Sequence, residues 1–320
     1  MGSINSISSY LTDTTMIEEM LSKYGNKINE KDINGYNYLM IATNEGKIKI
    51  VKLLWSKGAN INDQDNYGYN PLMISCEKGH EEIANFLLEK GANIFDKTKF
   101  GSTPLMIATQ FNKIKIVQLL LKNKANIHEK NSDGFDALTI GTQLGHYLIV
   151  KLLLENGADP NGITNGNTNG NTNGNTNWNE NSPLIYACEK GHVKIAKLLI
   201  ESGANIHKTD IYGWDPIMIA CGFGQIEIIK LLLNSGANIH AKTANGFNCL
   251  MAASHANYID TVKFLLDKKL DVNAKTTDGW DGLMFALEFG HTQVVELLLN
   301  SGANILNTNL DNQTALIIDI

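Results

Sequence analysis

The sequence predicts an all-α solenoid, elongated and curved, in which helix-turn-helix repeats are joined by short β-hairpin-like loops. Three observations carry this prediction. A glycine recurs at a fixed step of 33 residues, at Gly35, Gly68, Gly101 and Gly134 and again at Gly213, Gly246 and Gly279. A residue suited to start a helix stands two places after each of these glycines. Each period then holds two stretches with apolar side chains at helical spacing. Self-similarity at such a period marks a repeat architecture in which every unit buries its apolar face against its neighbours.

The elements follow in order within one period. Asn37, Asn70, Thr103, Asp136, Ser182, Asp215, Asn248 and Asp281 are the helix-starting residues. The side-chain oxygen of such a residue can accept a hydrogen bond from an amide that the helix leaves unpaired. Pro71, Pro104, Pro183 and Pro216 come next, at the first helical position, where a missing N–H is harmless. The first helix is short and ends at a glycine: Gly46, Gly79, Gly145, Gly191, Gly224 or Gly290. A second helix shows the i, i+3, i+4 pattern, as in Ile83, Phe86 and Leu87. A further glycine (Gly58, Gly91, Gly157, Gly203, Gly236, Gly302) suits the left-handed residue that stops a helix. An extended segment such as Ala92-Asn93-Ile94 leads to the next turn.

These residues give the chain its resemblance. Gly101-Ser102-Thr103-Pro104-Leu105-Met106-Ile107-Ala108 and Ile116-Val117-Gln118-Leu119-Leu120-Leu121 are similar to the ankyrin-repeat pattern, and the likeness extends over nearly the whole chain. We read residues 1–31 as an N-terminal capping half-repeat and 32–159 as repeats one to four. Residues 160–181 form an Asn/Gly/Thr-rich insertion, 182–306 are repeats five to eight, and 307–320 are a C-terminal partial repeat. The family's His in the first helix is replaced by Met40, Met73, Met106, Thr139, Ile185, Met218, Met251 and Met284, so apolar packing is expected to substitute for its hydrogen bonding. Repeats three and seven have Asn112 with Lys124, and Asn257 with Lys269, where the other repeats have glycines. A left-handed Lys costs about 1–2 kcal/mol, which marks those two repeats as the softest in the stack. The insertion carries a Gly-Asn-Thr-Asn tetrapeptide repeat with almost nothing apolar to offset the entropy of ordering. It reads either as an expanded surface turn or as a partner-binding loop that uses Trp178.

Composition limits the function classes. All 27 basic residues are Lys, and the net charge is −6. Without Arg, the bidentate contacts of nucleic-acid readers are missing, so no nucleic-acid partner is expected. No apolar run approaches the roughly 18 residues of a membrane span, and the N-terminus lacks the pattern of a secretory signal. The expected setting is intracellular and cytoplasmic.

Residues that look chemical fall into register. Cys76, Cys188 and Cys221 share one late first-helix position and Cys249 replaces a first-helix Pro, so all four read as buried thiols. His80, His146, His192 and His291 open second helices, while His128, His207 and His240 share an extended segment. Repeat-equivalent side chains run parallel rather than converge, so neither a metal site nor an enzyme active site is expected, and no cofactor. The resemblance implies a non-catalytic scaffold or adaptor that holds a protein partner on its concave face, formed by hairpin tips and first helices. Aromatic residues crowd those positions: Tyr36, Tyr69, Phe135, Trp214, Phe247 and Trp280 follow the turn glycine, Tyr67, Phe100 and Tyr212 precede it, and Phe111, Phe223 and Phe289 stand late in first helices. We take Tyr212, Trp214, Phe223, Phe247, Trp280 and Phe289 as the candidate partner-binding residues. A monomer is expected. The alternative is a structural protein that self-associates weakly as a dimer through an unsealed C-terminal repeat, where Ile317, Ile318 and Ile320 are apolar.

Overall fold

Each 33-residue period folds as an antiparallel helix pair because its two apolar stripes can be buried only against each other and against the neighbouring repeats. The computed structural model describes residues 28–162 and 181–315. Among these residues it contains sixteen helices and, at the turns, only isolated β-bridges such as Lys242 with Asn248 and Thr308 with Thr314. The N-terminal segment 1–27, most of the insertion with Trp178, and the apolar Ile317, Ile318 and Ile320 lie outside the described residues.

The chain divides into two compact units, Met1–Asp159 and Pro160–Ile320. The first unit holds α1 (Tyr38–Asn44) and α2 (Ile48–Ser56), α3 (Pro71–Lys78) and α4 (Glu81–Glu89), α5 (Pro104–Gln110) and α6 (Ile114–Lys122), and α7 (Ala137–Gln143) and α8 (Tyr147–Glu155). The second holds α9 (Pro183–Lys190) and α10 (Val193–Glu201), α11 (Pro216–Gly222) and α12 (Ile226–Asn234), α13 (Cys249–His255) and α14 (Ile259–Asp267), and α15 (Gly282–Glu288) and α16 (Thr292–Asn300). We number the repeats by these pairs, one to eight. Within each unit every first helix packs on its own second helix and on the first helix of the adjoining repeat.

Seven of the eight expected N-caps form: the side chains of Asn37, Asn70, Thr103, Asp136, Asp215, Asn248 and Asp281 each accept from the backbone N–H three residues on. Ser182 is the exception and corrects the expectation. The Ile185 N–H, which its hydroxyl would have received, donates instead to the Ser182 carbonyl at 3.0 Å, and the buried hydroxyl has no partner among the described residues. The residues that replace the first-helix His are all buried, with Met40, Met73, Ile185 and Met284 fully so. Their packing therefore takes the place of the lost polar contact, except at Thr139, whose hydroxyl donates to the Asp136 carboxylate at 2.8 Å.

Three devices tie repeats together. At the tips, the Asn66, Lys99 and Ser132 amides donate to the Asn34, Tyr67 and Phe100 carbonyls, and the Thr277 and Leu310 amides to Asn245 and Asp278. At the ends of the first helices, Nε2 of His80, His146 and His291 lies 3.0–3.3 Å from the Asn44, Gln110 and His255 carbonyls of the preceding repeat. Donation from Nε2 fills acceptors that a helix C-terminus otherwise leaves open. This is the role of His80, His146 and His291. Between the extended segments of successive repeats, the carboxamides of Asn29, Asn62, Asn161 and Asn273 accept from the amides of Asn60, Asn93, Asn205 and Asn304. Asn161 and Asn205 are separated by 44 residues rather than 31, so this pairing resumes in register beyond the insertion.

Candidate functional site

The second unit gathers the aromatic residues of its tips and first helices into one surface. Position, set by the repeat, does most of this. The residue after each turn glycine projects beside the first helix of its own repeat, and equivalents in successive repeats lie one stacking distance apart, about 10 Å. Rings on residues so spaced can meet. Trp214 and Phe247 stack, with centroids 5.1 Å apart and planes at 21°. Phe247 meets Phe285 edge-on at 5.4 Å, and Phe285 meets Trp280 at 5.2 Å. His255 continues the series, 6.0 Å from Phe285 and 4.6 Å from Phe289. Such pairs contribute roughly 0.5–1.5 kcal/mol each beyond area burial.

Of the six candidate residues, Trp214, Phe247, Trp280 and Phe289 thus belong to one run of rings. Tyr212 and Phe223 are brought to its Trp214 end, where they line a concavity of about 660 Å³ together with Asp210, Trp214, Ile219, Thr243, Ala244, Asn245 and Phe247. Tyr212 is 64% exposed, Phe289 51% and Phe223 40%. Trp214, Phe247 and Trp280 are half-buried.

Three participants escaped the sequence reading. Phe285 stands where five other repeats have Ile41, Ile74, Ile107, Ile140 and Ile219, and the remaining two Tyr186 and Ala252, a position that reads as core. His255 and Gly222 share a position held elsewhere by Asn44, Glu77, Gln110, Gln143, Glu189 and Glu288. Gly222 has an ordinary helical backbone, and a Cβ added to it would lie 3.1 Å from the Trp214 ring. Its missing side chain makes room for the indole over the end of α11. The departure of Gly222 from a polar series was the signal that could have revealed it.

One regular contact is missing beside this concavity. At five tip-to-tip junctions the bond described above is made. Between repeats six and seven it is not: the Ala244 N–H and the Tyr212 carbonyl have no hydrogen-bond partner among the described residues. The tips are also farther apart there. A Cβ on Gly213 would be 3.8 Å from Thr243, whereas on Gly35, Gly68, Gly101, Gly246 and Gly279 it would come within 2.6–3.0 Å of the next tip. Asp210 shapes the near wall, its carboxylate accepting from the Tyr212 and Trp214 amides at 2.9 and 2.8 Å.

All four Cys are free and buried. Burial pushes the thiols of Cys76 and Cys188 far up, and burial followed by its contact with Cys249 does the same for Cys221. Such thiols are poor nucleophiles at neutral pH. Among the described residues no group of His, Cys, Asp and Glu is arranged to hold a metal ion. Among them too, no helix is long and apolar enough to cross a membrane.

Comparison with known proteins agrees with this architecture. The family model for ankyrin repeats matches residues 6–98, 92–164, 163–243, 203–276 and 249–318. The chain belongs to the ankyrin-repeat family. Among solved structures it is similar to the crystal structure of the human ASB11 ankyrin repeat domain, with a TM-score of 0.62 and 25% identity, covering 74% of this chain and 99% of that one. No curated protein matches it in sequence. With 533 chains of solved structure matching, the fold alone does not select a partner, and any choice rests on the surface of this chain.

Proposed function

We propose that this chain is a non-catalytic scaffold or adaptor that holds a protein partner on the concave face of its repeats, through the aromatic surface of repeats six to eight. Ankyrin repeats are in general protein-interaction modules, which supports the reading at the level of the family. The observation that carries it to this surface is the run of rings from Trp214 to Phe289, flanked by the exposed Tyr212 and Phe223. Large aromatics dominate interface hot spots, and the exposed Tyr212, Phe223 and Phe289 add apolar surface along this run, of the kind found at interaction sites. Three stacked repeats span about 20–30 Å, enough for roughly half of a standard interface of about 800 Å² per partner. Trp214 and Trp280 are the anchors.

The experiment compares proteins captured from the native cell by wild type with those captured by Trp214→Ala, Trp280→Ala and Gly222→Gln. Trp55→Ala, on a second helix of the first unit, is the control. Each anchor truncation should weaken a captured partner by about 2 kcal/mol or more, while thermal stability moves less. Folded variants that keep every partner at wild-type levels would place the binding surface elsewhere.

The alternative of self-association through the C-terminal repeat rests on Ile317, Ile318 and Ile320, outside the described residues, and no described feature favours it.

A further inference from the structure

Within the surface proposed above, and resting on that proposal, we infer that the gap between the tips of repeats six and seven receives an extended basic segment of the partner, a Lys or Arg side chain entering among the rings of Trp214, Phe223 and Phe247 beside Asp210. Three independent features point to this occupant.

The first is the lining. It offers aromatic rings, the exposed Tyr212 and Phe223 among them, and a single formal charge, the negative one of Asp210, and no Lys or His. Ring faces attract cations, by roughly 0.5 kcal/mol at exposed sites and about 2 or more when the cation is desolvated. A neighbouring carboxylate adds to this and repels an anionic side chain. The methylene stem of Lys or Arg covers apolar surface while its head keeps polar company, which matches walls that include Ile219 and Ala244.

The second is the interrupted tip-to-tip bond. Tyr212 presents a carbonyl and Ala244 an N–H across a widened gap. An extended main chain running along the rim of this gap can donate to the Tyr212 carbonyl or accept from the Ala244 N–H, groups that the other junctions use on each other. An extended main chain with one inserted side chain satisfies both the polar gap and the apolar cavity.

The third is charge. Residues 160–320 contain ten Lys against fifteen Asp and Glu, whereas residues 1–159 contain seventeen against eighteen. Nearly all of the net charge of −6 therefore lies in the half that carries this surface, and a basic partner is steered toward it.

The test uses the full chain and a series of peptides, acetyl-Gly-Ser-Xaa-Ser-Gly-amide, with Xaa as Lys, Nε-trimethyl-Lys, Arg, norleucine or Glu. Binding is read by NMR from the indole N–H of Trp214, one of four Trp, and from the Ala244 amide. The Lys, trimethyl-Lys and Arg peptides should move both signals saturably, with affinity at least about fivefold above norleucine, and the Glu peptide should move neither. Asp210→Asn isolates the charge without dismantling the turn, since Asn131 and Asn309 make the same two turn bonds in their own repeats. It should weaken the basic peptides about threefold or more and leave norleucine unchanged. Gly222→Gln, or the milder Gly222→Ala should the first fail to fold, displaces the indole and should remove the Trp214 response. Norleucine binding as tightly as Lys, or an Asp210→Asn variant that binds Lys undiminished, overturns the inference while leaving the interaction surface standing. Partner capture that survives loss of both Trp anchors overturns the surface itself.

Discussion

At the residue scale the periodic chemistry of this chain is simple, and its exceptions carry the information. Asp215 caps α11 as Asn37, Asn70 and Asn248 cap theirs, but its carboxylate is largely buried. Desolvation is the chief cause that raises its pKa, outweighing the Met218 amide that lowers it. A carboxyl group whose folded pKa lies above its unfolded value favours the fold most when protonated, so its contribution is fully present below about pH 3.8 and lost as pH rises through the folded pKa. Asp215→Asn keeps the cap and removes the buried charge. The variant should therefore have a higher melting temperature than wild type at pH 7, with the difference shrinking as pH falls below about 4. A melting temperature at pH 7 equal to or below that of wild type would show that the ionised carboxylate does more than cap.

At the scale of the helix pair, the ends of the second helices show how local geometry made the fold legible. Six of them stop at a glycine with φ between 88° and 96°, and for each of these a Cβ would meet nothing within 4 Å. The glycine is there for its backbone alone, and that is why it could be recognised from spacing. Lys124 and Lys269 hold the same conformation at φ 62°. Since space is not the obstacle, Lys124→Gly and Lys269→Gly should each stabilise the protein by about 1 kcal/mol, the relief of left-handed strain less the entropy of a freer unfolded chain. Urea denaturation measures this, with Gly91→Ala as the opposite control, expected to lose a similar amount. Loss of stability in either Lys variant would mean that the Lys side chain makes compensating contacts.

At the scale of the whole molecule, what could be read from the sequence divides along the same line. N-caps, helix stops and the buried Met series follow from residues within one period, and the repeat prints each of them six or seven times over. The candidate rings were legible too, because register assigns each to a tip or a helix end. Relations between periods were not. Phe285 reads as a core residue until its ring is seen to bridge Phe247 and Trp280. Gly222 reads as an ordinary helix end until the indole of Trp214 is found above it. The parted tips of repeats six and seven have turns of ordinary sequence, Asp210 to Trp214 and Thr243 to Phe247. Their separation depends on how the two turns sit against each other, which no single period encodes. A stack of nearest-neighbour contacts concentrates such freedom at its junctions.

That parting has a consequence in time as well as in space. Six equivalent tip amides can be compared along the chain, and in five of them the proton is engaged. Only the Ala244 proton is left to water, so it should exchange for deuterium orders of magnitude sooner than those of Asn66, Lys99, Ser132, Thr277 and Leu310, whose release waits on local opening. An occupant that closes the gap would slow this one proton alone, so its lifetime becomes a clock for occupancy that needs no label and no knowledge of the partner. A fast Ala244 proton that stayed fast in the presence of a bound partner would place that partner off the gap.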